Sequence, residues 1–357
     1  MKSIRIKDIA QKAKVSTGTV DRVLHDRGRV SDVIKERVLK VAAEMNYEPN
    51  LMARALVSTK IYQVAVLMPD NKIDSYWDDL KKGIEKAEKE LKKYKVVVNQ
   101  FVFDPYSAQS FIEQANLLTA SKPDGIFLCP IFYREIKPFF KQWQQQDIPF
   151  VFFNTDIPES GRLSYIGQDS YQSGFLAGRL IAYGNPDPCS LLIAHIDEDA
   201  SNAAHLINKE QGFRDFFVQN LIAEQYHIIR AELNRSDFGK FNLKLDHIVQ
   251  NTPDLKAIFV TSSKAFEVAA YLEQRGMRNI KIIGYDLIPK NIQYLNKGII
   301  SFLINQNPAG QGYWGIHYLA KQLVFKKEVS ALKYLPLDVV TKENQSYYTE
   351  EAESVEI

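Results

Sequence analysis

Cysteine is nearly absent: the 357-residue chain has only Cys129 and Cys189, in separate apolar runs. That speaks against a disulfide framework and fits a reducing compartment. No stretch approaches the roughly 18 uninterrupted apolar residues of a membrane span. The opening MKSIRIKDIAQKAKV lacks the continuous apolar segment of a secretion signal. A soluble, cytoplasmic protein with no membrane partner is the expectation. His25, His195, His205, His227, His247 and His317 are scattered, with no H-E-x-x-H or Cys/His spacing, so no metal site is expected. Neither a G-x-S-x-G elbow nor a Walker A loop occurs, and no catalytic constellation or cofactor is implied.

The remaining composition is that of a globular protein, with 45% apolar and 25% charged residues. Length allows two or three domains. Net charge is +2 but uneven: residues 1–60 carry 13 Lys/Arg against 7 Asp/Glu, and the remainder is acidic. A basic head on an acidic body suggests a polyanion partner for the head alone.

Three short helices are expected in that head. Ile6, Ile9, Ala10 and Ala13 recur at helical spacing, Ser16 or Thr17 can cap a second helix carrying Val20, Val23 and Leu24, and Ser31 can cap a third. If Val20, Val23 and Leu24 pack inward, Thr17, Gly18, Asp21 and Arg22 face outward from a helix N-terminus. Hydroxyls beside free N–H groups there can hold a phosphate, and an arginine can read guanine in a major groove. Two helices joined by a tight turn with such a face form a helix-turn-helix.

From Tyr62 the pattern changes to strand-length apolar runs alternating with amphipathic helical runs. The apolar runs are YQVAVLM, VVVNQFVF, GIFLC, FVFFN and LSYIG, then SLLIAHI, HIIRAEL, AIFVT, KIIGYD and IISFLI. Alternation of this kind implies parallel sheets covered by helices, and the number of units exceeds one comfortable core. We expect an α head, 1–48, a linker, 49–61, and an α/β sensor of two doubly wound lobes, 62–341. The first lobe would span about 62–168 and 305–330, the second about 169–304 and 331–341, followed by a frayed acidic tail, 342–357. Ligands of doubly wound sheets sit beyond the C-terminal strand ends. Those ends carry Asp70, Tyr133, Asn154, Asp156, His195, Asp197, Ser262, Ser263, Lys264, Asp286 and Gln306, with Tyr76, Trp77 and Trp314 nearby. Amides, carboxylates and rings of this kind suit a polyhydroxylated ligand.

The segment IKDIAQKAKVSTGTVDRVLHDRGRVSDVIKERVLKVAAEMNYEPNLMARAL closely resembles the head of the lactose-repressor (LacI) family. The shared blocks are IKDIA, VS..TV.RVL, VS....ERV and Y.PN..AR.L. The resemblance implies base-reading positions at Thr17, Gly18 and Arg22 and phosphate-contact positions at Ser16 and Thr19, with Asn50 and Arg54 also on DNA. Leu56 would wedge a minor-groove step, which implies a homodimer on a near-palindromic operator. Asp21 stands where the family usually has serine, which implies an altered operator.

Residues 62–340 resemble the periplasmic sugar-binding fold fused in that family, through YIGQDSYQSGFLAGRL, IIGYD and INQNPAGQGYWG. The resemblance implies that Asp286 and Gln306 bond sugar hydroxyls, with Asn154 or Asp156 serving from the first lobe. Two positions depart from the pattern. Ser262-Ser263 replaces a common Asn-Asp pair, and Lys209 is the nearest cation to Gly212-Phe213 where an arginine is usual. The effector is therefore a sugar, polyol, sugar acid or phosphorylated metabolite. Gly310-Gln311-Gly312-Tyr313-Trp314-Gly315 matches G-x-G-x-x-G, but Asn307-Pro308 fills the turn such a fingerprint needs, so close helix packing is the expected role. The rival readings are a solute-binding protein, an enzyme and a ligand-independent repressor.

Overall fold

A computed structural model describes residues 4–24, 28–45, 47, 58–197, 204–235 and 238–349. Two compact units meet in sequence at Ser58 and Thr59.

The first unit holds α1 (Ile6–Ala13), α2 (Thr17–Leu24) and α3 (Asp32–Glu44). Ile9, Ala10, Ala13, Val20, Val23, Val38, Val41 and Ala42 form its small core. α1 ends on Lys14 in the left-handed region, φ 53°, and Val15 N–H returns to Ala10 O at 3.0 Å. That stop makes the turn tight enough for α2 to pack back on α1. Ser16 is the residue that caps α2, its Oγ accepting from Thr19 N–H at 3.1 Å. Ser31 occupies the N-cap of α3, but its side chain makes no capping bond.

The second unit is a pair of six-stranded sheets. The first has the order β11-β5-β4-β3-β1-β2, the second β12-β10-β9-β8-β6-β7. Its strands are β1 (Tyr62–Pro69), β2 (Val96–Phe103), β3 (Gly125–Leu128), β4 (Phe150–Phe153), β5 (Ser164–Gly167) and β6 (Cys189–Ile196). They continue with β7 (Tyr226–Leu233), β8 (Leu255–Val260), β9 (Lys281–Tyr285), β10 (Ile300–Asn305), β11 (Leu332–Tyr334) and β12 (Asp338–Val340). All pairings are parallel except β10 with β12. The helices relevant below are α4 (Trp77–Leu91), α6 (Tyr133–Gln145), α7 (Ser170–Gly184), α8 (Ala204–Gln219), α10 (Ala265–Gln274) and α12 (Pro308–Leu323).

Each sheet is covered on both faces, which is why its strands read as unbroken apolar runs. Val64, Val66 and Met68 of β1 face one core, while Ala65 and Leu67 face another. Leu192 and Ala194 of β6 are divided from Leu191 and Ile193 in the same way. Cys129 and Cys189 are both buried, and among the described residues neither forms a disulfide. The glycines of the G-x-G-x-x-G stretch lie inside α12, as close packing requires. A Cβ on Gly312 would meet Leu80 O of α4 at 2.3 Å.

Three crossovers join the lobes, and their placement corrects the expected boundary. The sequence pattern puts Leu332–Tyr334 in the second lobe. It pairs with β5 in the first sheet instead, and the chain returns to the second only at β12. Gln168 ties the crossovers together: its amide donates to Asn305 O at 2.5 Å and to Pro336 O at 2.8 Å. The start of the expected frayed tail is ordered, since Asn344 accepts from Thr341 N–H at 2.7 Å and donates to Val339 O at 3.1 Å. Among the described residues no helix is long and apolar enough to cross a membrane.

Candidate functional sites: an exposed helix face and an interlobe cleft

Burial of Val20 and Val23 in the head turns the opposite side of α2 outward. Ser16, Thr17, Gly18 and Arg22 are exposed there, with Thr19 and Asp21 half-buried. Ser16 Oγ and Thr19 Oγ1 lie 2.9 Å apart, a hydroxyl pair at the helix N-terminus. A Cβ on Gly18 would meet nothing closer than 3.8 Å, so packing within the head does not require glycine. Asn50, Arg54 and Leu56 lie outside the described residues.

In the sensor, a cavity of about 310 Å³ opens where the C-terminal strand ends of the two lobes face each other. Asp286, immediately after β9, is 2% exposed and adopts a left-handed φ of 69°. It accepts the Gln306 side-chain amide at 2.7 Å and the Gln306 backbone N–H at 3.2 Å. Burial pushes its carboxyl up to about 7, opposed by Lys209 and by the Gln306 hydrogen bonds. Lys209, on α8, is itself buried. It donates to Thr261 O at 3.1 Å and to Gln306 Oε1 at 3.3 Å, and sits 3.7 Å above the Tyr285 ring. Gln306 thus bridges an acid and a base beside the cavity.

From the first lobe, Asn154 follows β4 with φ 63° and donates to Tyr76 Oη at 2.9 Å. Tyr76 is edge-on to Trp77, with ring centroids 4.6 Å apart. Burial holds its hydroxyl well above the usual tyrosine range, so it stays protonated. Hydrogen bonds that cross the cleft include Thr155 Oγ1 with His205 Nδ1 at 3.0 Å, and Arg235 to Tyr106 Oη at 3.2 Å. Ser262 Oγ is buried on the cavity wall without a hydrogen-bond partner.

The structure brings Tyr76, Trp77, Asn154, Lys209, Ser262, Asp286 and Gln306 together around this cavity, and leaves Asp70, Tyr133, Asp156, His195 and Trp314 off its wall. Asp70 organises the turn after β1, accepting from Lys72 N–H at 2.8 Å. Asp156 is drawn into an ion pair with Arg162, at 2.7 Å from Nη2, which leaves Asn154 as the polar group of that strand end. Tyr133 begins α6 and donates outward to Glu159 at 3.0 Å. Trp314 likewise stays off the wall, 40% exposed and under the Lys333 ammonium. Lining residues not anticipated include Asp74, Tyr106, Ile131 and Phe132. Tyr106 follows β2 and Arg235 follows β7, so extending the strand-end rule to those two strands would have found both.

A basic helix-turn-helix head and a two-lobed sensor with a polar cleft define a DNA-binding regulator that responds to a small molecule. Residues 5–50 match the bacterial regulatory proteins of the lacI family, and residues 64–327 match a periplasmic binding protein domain. The chain is 30% identical to a protein assigned as a LacI transcriptional regulator from Bacteroides fragilis. That structural match has a TM-score of 0.76 and covers 81% of this chain and all of the other. It is 28% identical to a glucose-galactose binding protein from Geobacillus stearothermophilus (TM-score 0.71; 80% of this chain, 99% of the other). It is also 24% identical to the sucrose operon repressor of Pediococcus pentosaceus over 79% of this chain and 82% of that one. The chain belongs to the lacI family of transcriptional regulators, with a periplasmic-binding-protein-like sensor.

Proposed function

We propose that this regulator acts in the cytoplasm as a homodimer on a near-palindromic operator, and that a monosaccharide-sized, sugar-like effector in the interlobe cleft sets its operator affinity. The buried Asp286–Gln306–Lys209 network carries the effector half of this reading. It places an acid, an amide and a cation beside a cavity at the small end of the roughly 300–1,000 Å³ range of ligand pockets. Rings from Tyr76 and Trp77 lie on the opposite wall, suited to the apolar face of a sugar ring. The likeness to the glucose-galactose binding protein of Geobacillus stearothermophilus points the same way.

The effector can shift operator affinity only through its different affinities for different arrangements of the lobes. Gln168, holding all three crossovers, is placed to feel such a change. On the head, Arg22 reads bases and the Ser16–Thr19 hydroxyl pair contacts phosphate. Gly18 leaves room at the groove, and Asp21 alters which sequence is accepted.

Selection of bound duplexes from a random pool, with the full-length protein, tests the reading. A near-palindrome should emerge, its sequence altered by Arg22→Ala and its recovery lost with Leu56→Ala. Its affinity should shift when a sugar pool is added. Recovery of no preferred sequence, with or without sugars, overturns the operator half. A preferred sequence indifferent to every sugar overturns the effector half.

A further inference from the structure

The charged groups lining the cleft are unequally provided for. Asp197 is paired with Arg235, which also reaches Glu267 at 3.0 Å. Asp286 is held by Gln306, Lys209 by Thr261 O and Gln306, and Asp74 accepts Tyr76 N–H at 3.0 Å. Lys264 differs. It is 5% exposed and lines the cavity, and its ammonium makes no hydrogen bond or ion pair among the described residues. It lies over the Tyr106 ring, 5.2 Å from the centroid. Two residues earlier, Ser262 Oγ is also buried without a partner. Lys264 is moreover the N-cap residue of α10, where the helix dipole adds to the positive field.

The stem of Lys264 is buried while its ammonium keeps an opening onto the cavity, so a neutral sugar seated against it would displace its water and leave that cost uncompensated. A ligand carrying a negative charge would recover it. We infer that Lys264 and the Ser262 hydroxyl hold an anionic group of the effector, a carboxylate or a phosphate, while Asp286 and Asn154 engage its hydroxyls. The effector class is then a sugar acid or a sugar phosphate. This inference rests on the sugar-effector reading above and narrows it.

Matched ligands separate the two. The full-length protein is titrated calorimetrically with glucose, galactose and ribose, then with the corresponding aldonates, uronates and monophosphates. At least one anion should bind about 30-fold or more tightly than its neutral parent, as a charge-assisted contact implies. Lys264→Gln should reduce that preference to about threefold, through loss of affinity for the anion. Whether carboxylates or phosphates show the preference identifies the group. Neutral sugars binding as tightly as their anions would overturn the inference and leave the sugar effector standing. An anion preference that survives Lys264→Gln would overturn the assignment to Lys264. No binding by any member would overturn both readings.

Discussion

The two lobes repeat one architecture but contribute different chemistry to the cleft. Both sheets follow the same winding, with β2-β1-β3-β4-β5 matched by β7-β6-β8-β9-β10. Both have a helix pair brought into backbone contact through glycine. A Cβ on Gly83 of α4 would lie 1.9 Å from Ala309 O, and one on Gly174 of α7 would lie 1.9 Å from Lys209 O. At the cavity the resemblance ends. The first lobe lends mostly rings and apolar surface, from Tyr76, Trp77, Tyr106, Ile131 and Phe132. The second lends Asp197, His205, Lys209, Ser262, Lys264 and Asp286. A duplicated scaffold has thus divided its labour. One wall shapes and stacks, while the other supplies charge and hydrogen bonds, which carry most of the discrimination between ligands.

The division is broken most severely by removing the second lobe's central acid. Asp286→Ala should weaken binding of the cognate sugar by about 100-fold, near 2.7 kcal/mol, because the ligand loses a buried charged partner and the Gln306 amide loses its acceptor. Calorimetric titration reads the loss. An effect below about fivefold would mean that the first lobe carries the affinity instead.

Next in size is a pH effect confined to the same wall. Burial raises the Asp286 carboxyl from 3.8 to about 7 in the folded protein. The folded state therefore holds a proton that the unfolded state releases between these values. The stability due to the neutral carboxyl is complete below about pH 4 and is lost as pH rises through 7. Denaturant unfolding of the unliganded protein should show Asp286→Asn gaining on the wild type as pH rises from 5 to 8. Parallel curves for the two would remove the charge asymmetry between the lobes.

How far these features could be read from sequence depends on what each one rests on. Most of the longer strands were legible because burial on both faces leaves unbroken apolar runs, whereas the edge strands β2 and β7 keep exposed polar positions. β11 and β12 were not, since LKY and DVV are three-residue, largely unburied strands without such a run. Which polar strand end faces the cleft was half legible. Asp286 and Gln306 follow from the strand-end rule, but Asp156 fails because Arg162, six residues on, captures it. Nothing local distinguishes a carboxylate aimed at a ligand from one claimed by an arginine. Lys264 could be named at a strand end, yet that its ammonium has no ion pair among the described residues is a three-dimensional property.

On the first lobe the expected losses are smaller. Tyr76→Phe keeps the ring against Trp77 but removes the oxygen that accepts from Asn154. Asn154 then turns toward another acceptor, and its bond to the ligand is disturbed by about one hydrogen bond, near 1 kcal/mol or roughly fivefold in affinity. A loss as large as that of Asp286→Ala would place this wall on equal terms with the other.

The smallest effect is the sharpest test of where the cleft ends. Tyr133 and Trp314 are the kind of aromatic residues that line sugar sites, and the sequence offered no reason to prefer Tyr76 and Trp77 over them. Their side chains nevertheless spend their contacts outside: Tyr133 on Glu159 and beneath Lys137 at 4.2 Å, Trp314 beneath Lys333 at 4.2 Å. Tyr133→Phe and Trp314→Ala should each leave the affinity for the sugar within about twofold, below 0.5 kcal/mol. A tenfold loss in either variant, with the fold intact by circular dichroism, would mean that the first lobe's ring surface extends beyond this cavity and that the effector is larger than a monosaccharide.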